Sequence, residues 1–420
     1  MVTNLVLFSS TVLFWNCFVC TARSTVPPSI SRLPPQSVFV DPLSFAVLGP
    51  NGTFHNDTFS PTTGFFFNFN PTGTKPPFFQ IFDKAFLDIL GLNPTFNEIA
   101  SNATFGFAQE APIYFAETDE MFFANSNGPP GVLTNADINH NNGVGKISLK
   151  AVEAALAKLG PNQVGAAVNV PVSELNLPDT VQMTNGGTGP FNGNLVLATS
   201  GRGPLPSSVV LVNPRPPFNA TVLLDNFFGR QFNSLDDVKI HPKSGGIFIT
   251  DPGYGFLLKF RFAPMIPNQV YRFDPATGNV RVVATDFVRP NGVAFTPDGT
   301  IAYVSDTGAL HITADPTLPA TIYAYDVHPT TEVFLNRRVF AYTDSGIPDG
   351  IQVDANGNVY AGCGDGTNVW SPDGILLGKF FIGQTSANMA FAGDGRLVIV
   401  ARTKMFLAKI AAKEGKVIFP

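Results

Sequence analysis

One phrase returns along this chain often enough to limit what it can fold into. An acidic or amide residue leads a short alternating strand, a turn rich in Gly or Asp follows, and a second apolar strand comes next. Glu110 opens EAPIYFAETDEMFF, Asp236 opens DDVKIHPKSGGIFITD, Asn291 opens NGVAFTPDGTIAYVSD and Asp349 opens DGIQVDANGNVYAG. The second strands are Met121–Phe123, Asn194–Leu197, Ile247–Ile249, Ile301–Val304, Asn358–Tyr360 and Leu397–Ile399. Turn residues set between two runs of strand formers make a hairpin. Self-similarity at about 40–55 residues is the mark of propeller blades, each a four-stranded sheet. A β-sandwich also alternates, but it has no reason to repeat the phrase. Six units predict an all-β chain folded as a six-bladed β-propeller.

Composition agrees, since 36 Pro, 39 Gly and 40 Phe accompany only 14% charged residues, which favours one extended all-β body. A net charge of −5 without a basic run argues against a nucleic-acid partner. Leu5 to Cys20 is apolar apart from Ser9, Ser10, Thr11 and Asn16, and Cys20-Thr21-Ala22 supplies small residues for cleavage. The run is short for a span and lacks a charged stop. Residues 1–22 therefore read as a secretory signal peptide rather than a membrane anchor, although no Lys or Arg precedes the run. The expectation is a secreted, extracellular protein, free of the membrane after signal removal. N-glycans are then expected at the sequons of Asn51, Asn56, Asn102 and Asn219. Cys17 and Cys20 would leave with the signal, so Cys363 stands alone and no intrachain disulfide is expected.

Residues 23–105, rich in Pro, Thr, Asn and Phe, read as an N-terminal extension wrapping the propeller, with a short helix over Asp83–Leu90 stopped by Gly91. The propeller itself is expected over 106–420. An insertion at about 128–184 carries an amphipathic helix, Ser148–Leu159, with Ser148 as its N-cap. Asp137–Asn141 imitates the start of an EF-hand loop. Asn142 holds the glycine position, however, and Ser148 the place of the bidentate Glu, so the segment reads as a solvated loop.

Standard hydrolase signatures are missing. There is no G-x-S-x-G elbow, no HExxH and no phosphate-cradling loop, and the five histidines share no metal-ligand spacing. What remains is the set Glu110, Asp236, Asn291 and Asp349, all at one recurring point of the phrase. Equivalent points of successive blades surround the central channel, so these side chains should converge on its axis. Four oxygen donors in one place suit a hard cation, with Ca2+ as the natural occupant. Each residue alone reads as a turn-capping Asx side chain; recurrence in phase argues for the site. Without a cation the facing carboxylates would repel and raise one another's pKa. Asn185 could join the set or hold its own turn. Asp251, Tyr254 and Asp306, at blade-strand ends, are placed at the channel mouth as substrate-lining residues.

The stretches NFFGRQFNSLDD (Asn226–Asp237), Arg289-Pro-Asn-Gly292, Ile347-Pro-Asp-Gly350 and Tyr360–Gly366 carry a resemblance. The chain resembles six-bladed propellers of the gluconolactonase, regucalcin and paraoxonase type, most closely the secreted fungal lactonohydrolases, from about Ser37 to the C-terminus. The resemblance implies a calcium-dependent hydrolase that opens aldonolactone, gluconolactone or pantolactone rings. Glu110, Asn291 and Asp349 match that family's calcium ligands, and Asp236 stands where the family usually has Asn. Asp349, or less readily Asp236, would take a proton from the attacking water. An esterase or phosphotriesterase on the same scaffold, and a non-catalytic propeller with structural calcium, are the alternatives. Tyr114 stands where relatives often carry Trp, a change expected to affect packing rather than chemistry.

Overall fold

The computed structural model describes residues 32–48, 68–128, 133–160, 165–310 and 314–415. The expected signal peptide and the sequons of Asn51 and Asn56 lie outside these residues.

The protein is a six-bladed β-propeller. Blade 1 consists of Glu110–Phe115, Glu120–Ala124, Val144–Ser148 and Ser173–Glu174, and blade 2 of Thr184–Phe191, Asn194–Thr199, Ser208–Val212 and Ala220–Leu224. Blade 3 is Val238–Ile240, Ile247–Asp251, Gln269–Phe273 and Val280–Ala284; blade 4 is Pro290–Phe295, Ile301–Asp306, Thr321–Val327 and Phe334–Tyr342. Blade 5 runs Ile351–Val353, Val359–Cys363, Gly366–Trp370 and Leu376–Phe381, and blade 6 begins Asn388–Phe391, Arg396–Ala401 and Lys404–Lys409. Each apolar run picked from the repeat is the second strand of its blade.

The core lies between blades because strand side chains alternate faces. In blade 2, Leu195 and Leu197 pack toward blade 1 with Ile113 and Phe122, whereas Val196 and Ala198 pack toward blade 3 with Val238 and Ile249. In blade 3, Phe248 reaches the other way, to Val293 and Val304 of blade 4. The same arrangement fills the gaps between blades 4 and 5, 5 and 6, and 6 and 1. Strands buried on both faces explain why the runs are continuously apolar. Each fully buried large side chain contributes about 1.5–3 kcal/mol.

The N-terminal segment is not a separate wrapping. Thr95–Ser101 is the outer strand of blade 6, antiparallel to Lys404–Lys409, so the two ends of the chain close the ring. Phe78–Ile81 and Ser37–Phe39 extend blade 5 outward. The propeller therefore starts before residue 106, because its last blade borrows a strand that sequence order hides. The insertion at 128–184 is also smaller than expected, since it contains the third and fourth strands of blade 1. Its helix spans Leu149–Leu156 and is capped by Ser148 Oγ, which accepts from Ala151 N at 3.2 Å. Asp137 folds its carboxylate back onto the Asn139 and His140 amides in an Asx turn. The short N-terminal helix spans Phe86–Leu90 and ends at Gly91, with φ 76°. Cys363 is a buried free thiol, and Tyr114 is tied to Asp119 and Arg396. Among the described residues no helix is long and apolar enough to cross a membrane.

Candidate active site

The innermost strands of the blades begin at the same end of the channel, which puts their leading residues in one ring. Two residues after Asp236, Val238 pairs with Ile249; two after Asn291, Val293 pairs with Val304; two after Asp349, Ile351 pairs with Ala361. Asn185 stands at the same phase, two before Gly187, which pairs with Leu197. Glu110 reaches it through an irregularity at Ala111, whose φ is 51°.

Three of these donors are followed by glycine for a reason of space. A Cβ at Gly186 would stand 2.4 Å from the Asp236 carbonyl oxygen, at Gly292 2.3 Å from the Asp349 carbonyl oxygen, and at Gly350 2.2 Å from Asn388 Cγ. The backbone of the next blade, or at Gly350 the Asn388 side chain, comes that close, so the Asn-Gly and Asp-Gly pairs of the repeat mark the tight inner wall of a ring. Asp237 fills the corresponding place in blade 3 and ties blades 3 and 4 together, its carboxylate accepting from Val238 N at 2.9 Å and Val293 N at 3.0 Å.

Asn388 of blade 6 is the member that sequence reading missed. Its Nδ2 donates to Glu110 Oε2 at 3.0 Å and its Oδ1 accepts from Met389 N at 2.8 Å. The signal was available: Asn388 opens NMAFAGDGRLVIV much as Asn291 opens NGVAFTPDGTIAYV. Asn185 donates to the Asp236 carboxylate and accepts from Asn127 at 3.2 Å, while Asn291 donates to Asp349.

Burial and mutual repulsion dominate the electrostatics. Desolvation, then the charges of Asp349 and Asp236, hold the Glu110 carboxyl well above its usual range, with Asn388 opposing. Burial, then Asp349 and Asp237, does the same to Asp236. Asp349 is pushed up to about 7 by burial and by Asp237. Three facing carboxylates in a dry ring cannot all ionise cheaply without a cation.

These residues form the floor of a cleft of about 340 Å³. Asn185 and Tyr254 line it, together with Gln109, Asn127 and Ser200, while Leu257, Leu258, Phe260, Leu310 and Ile347 supply apolar walls. Tyr254 exchanges a hydrogen bond with Thr307. Asp251 and Asp306 do not line the cleft. Both are fully buried, because each turns back onto the loop that precedes its own innermost strand. Asp251 accepts from Asn233 N at 2.9 Å and Ser234 N at 2.7 Å. Asp306 accepts from Val288 N at 3.0 Å, Arg289 N at 2.8 Å and Gly308 N at 3.1 Å. They brace the backbone just ahead of Asp236 and Asn291.

A hard cation suits this floor on one observation above all. Asp349 Oδ1 is shielded from solvent and has no hydrogen-bond partner, a costly state for a carboxylate oxygen unless an ion takes it up. Among the described residues no three His, Cys, Asp or Glu side chains form a ready-made metal cluster. The donor set is instead mixed, carboxylates spaced round the ring with the Asn291 and Asn185 amides between them.

Residues 181–403 match the SMP-30/gluconolactonase/LRE-like family. The lactonohydrolase oryL of Aspergillus oryzae is 36% identical over 202 residues, covering 45% of this chain and 46% of its own length. A gluconolactonase of Zymomonas mobilis is 32% identical over 203 residues, covering 44% of this chain and 55% of its own length. The chain thus matches about half the length of each of these relatives. In three dimensions a gluconolactonase of Xanthomonas campestris superposes with a TM-score of 0.59 at 22% identity, over 81% of this chain and 99% of its own. With a family match over more than half its residues, and the axial ring and blade order just described, the chain belongs to the SMP-30/gluconolactonase/LRE-like family.

Proposed function

We propose that this protein is a calcium-dependent lactone hydrolase. The observation that carries the reading is the unpartnered Asp349 Oδ1, set among Glu110, Asp236 and Asn291 at the base of a cleft of small-molecule size. The lactonohydrolase and gluconolactonase relatives support the reaction class. Glu110, Asp236, Asn291 and Asp349 would hold the ion. The chemistry calcium supplies when bound is Lewis-acid polarisation of an ester carbonyl.

The chain's own residues divide the remaining work. Asn388 fixes the Glu110 carboxylate, and the Asn127–Asn185 pair fixes Asp236. Asp349, with Asp236 as second choice, accepts the proton of the water whose oxygen bonds to the lactone carbonyl carbon. The acyl C–O bond then breaks, and the ring oxygen leaves as an alcohol carrying that proton. Leu257, Leu258 and Phe260 cover the cleft and limit its water. Asp236 in place of Asn adds charge to the ring, which should tighten calcium and temper its polarising power.

Secretion belongs to the same reading. Asn102 and Asn219 are both exposed, which leaves their side chains open to glycosylation. Initial rates on aldonolactones, pantolactone and an aryl ester, in excess calcium and after chelation, test the proposal. Lactone opening that chelation abolishes and calcium restores is expected. Turnover of the aryl ester alone would point to an esterase. Absence of any turnover, with calcium still raising thermal stability, would leave the cation a structural one.

A further inference from the structure

We infer that the cleft selects lactones bearing an apolar alkyl arm over polyhydroxylated sugar lactones; the inference rests on the lactone-hydrolase reading of the same site. The two ends of the cleft differ in chemistry. The charged and amide groups of the floor are those that would hold the cation, whereas the space above it is bounded by Leu257, Leu258, Phe260, Leu310 and Ile347.

Leu258 acts as a roof beam. It comes from the segment after the second strand of blade 3, yet a Cβ built on Gly128, beyond the second strand of blade 1, would touch its δ-carbons at 3.6 and 3.8 Å. It also packs against a small cluster of Ala136, Met183 and fully buried Phe260, which holds the segment in place. The same segment also exposes Phe256 (53%) and Phe262 (62%).

A sugar lactone would bring several hydroxyls into this space, and each needs a partner once it leaves water. The cleft offers few. Ser200 Oγ is given to the Leu235 carbonyl, the Tyr254 hydroxyl to Thr307, and the Asn127 amide to Asn185. Gln109 keeps an unpartnered Oε1, and Lys259 lines the rim, exposed to water. One amide, one rim ammonium and the lone pairs left on the Ser200 and Tyr254 hydroxyls can orient a single polar ring; they are fewer partners than a polyol needs. An alkyl arm needs no partner and gains about fourfold in affinity per methylene buried.

Calorimetric binding of two non-hydrolysable lactams of equal ring size, one alkyl-substituted and one polyhydroxylated, to the full chain in calcium tests this. The alkyl lactam is expected to bind at least tenfold tighter, and the advantage should shrink to near parity in Leu258→Asn or, independently, in Leu310→Asn. Equal or tighter binding of the hydroxylated lactam by the unaltered protein overturns the inference, as does an unchanged ratio in both variants that retain a cooperative melt. Lactone turnover, measured in parallel, bears on the hydrolase reading separately. Selective alkyl-lactam binding without opening of any lactone would sustain the selectivity and refute the reaction.

Discussion

Replacing Asp349 by Asn should make the metal-free protein more stable, an advantage that calcium binding to the wild type should cancel. Burial and the neighbouring charge of Asp237 raise the Asp349 carboxyl from 3.8 to about 7. A carboxylate whose folded pKa is raised binds its proton more tightly in the native state, so it costs nothing below about pH 4. The cost grows as pH rises and is complete above about 7. Three pKa units correspond to about 4 kcal/mol, an upper figure because Asp349 keeps partial contact with the cleft. At an unfolding entropy of about 2.1 cal/mol/K per residue, that is on the order of 5 °C for a propeller of this length. Calcium at a thousandfold excess over its Kd would return about 4 kcal/mol, so the cation just offsets the repulsion. In EGTA at pH 8 the Asp349→Asn variant is therefore expected to melt about 5 °C above the wild type, and the gap should close toward pH 4. In millimolar calcium at pH 8 the gap should close as well, because binding returns to the wild type about what the carboxylate costs. Differential scanning calorimetry under the four conditions decides. A metal-free variant that melts at or below the wild type at pH 8 would show that no strained carboxylate ring exists.

Gly292→Ala would drive a methyl to within 2.3 Å of the Asp349 carbonyl oxygen, with Ile351 N at 2.9 Å and Gly350 Cα at 3.0 Å. A loss of about 3 kcal/mol in urea denaturation, with weaker calcium binding by calorimetry, is expected. Lys379 is fully buried between Asp344 and Asp365, at 2.6 and 2.8 Å. Lys379→Met leaves Asp365 buried and unpaired and should cost about 3–5 kcal/mol by the same denaturation assay. Removing the chain through Ser101 deletes the outer strand of blade 6 and opens the ring; the product should lose its single cooperative transition and aggregate through the bared Lys404–Lys409 edge, read by light scattering during a melt.

Much of this protein was legible before any coordinates, because its information is local. Apolar runs such as Ile247–Ile249 and Ile301–Val304, each behind a glycine-bearing turn, can only be strands of one repeated unit, and six of them count the blades. The phase of Glu110, Asp236, Asn291 and Asp349 in that unit also put them at one level of the channel, since residues at equal distances from equal strands sit at equal heights. What the chain could not tell in one dimension is which way a side chain aims and which distant segments meet. Asp251 and Asp306 end their strands much as a cleft-lining residue would, yet they turn inward onto the amides at Asn233 and Val288, among others. Asn388 matters because closing the ring carries blade 6 round to Glu110 of blade 1. Closure itself depends on Thr95–Ser101 crossing to the far end of the chain, and the roof on Leu258 reaching Gly128. Sequence alone determined the unit, its number and the level of its oxygen donors, because those follow from period and spacing. Only tertiary structure decided the partners, because a ring brings together residues whose separation along the chain says nothing of their distance in space.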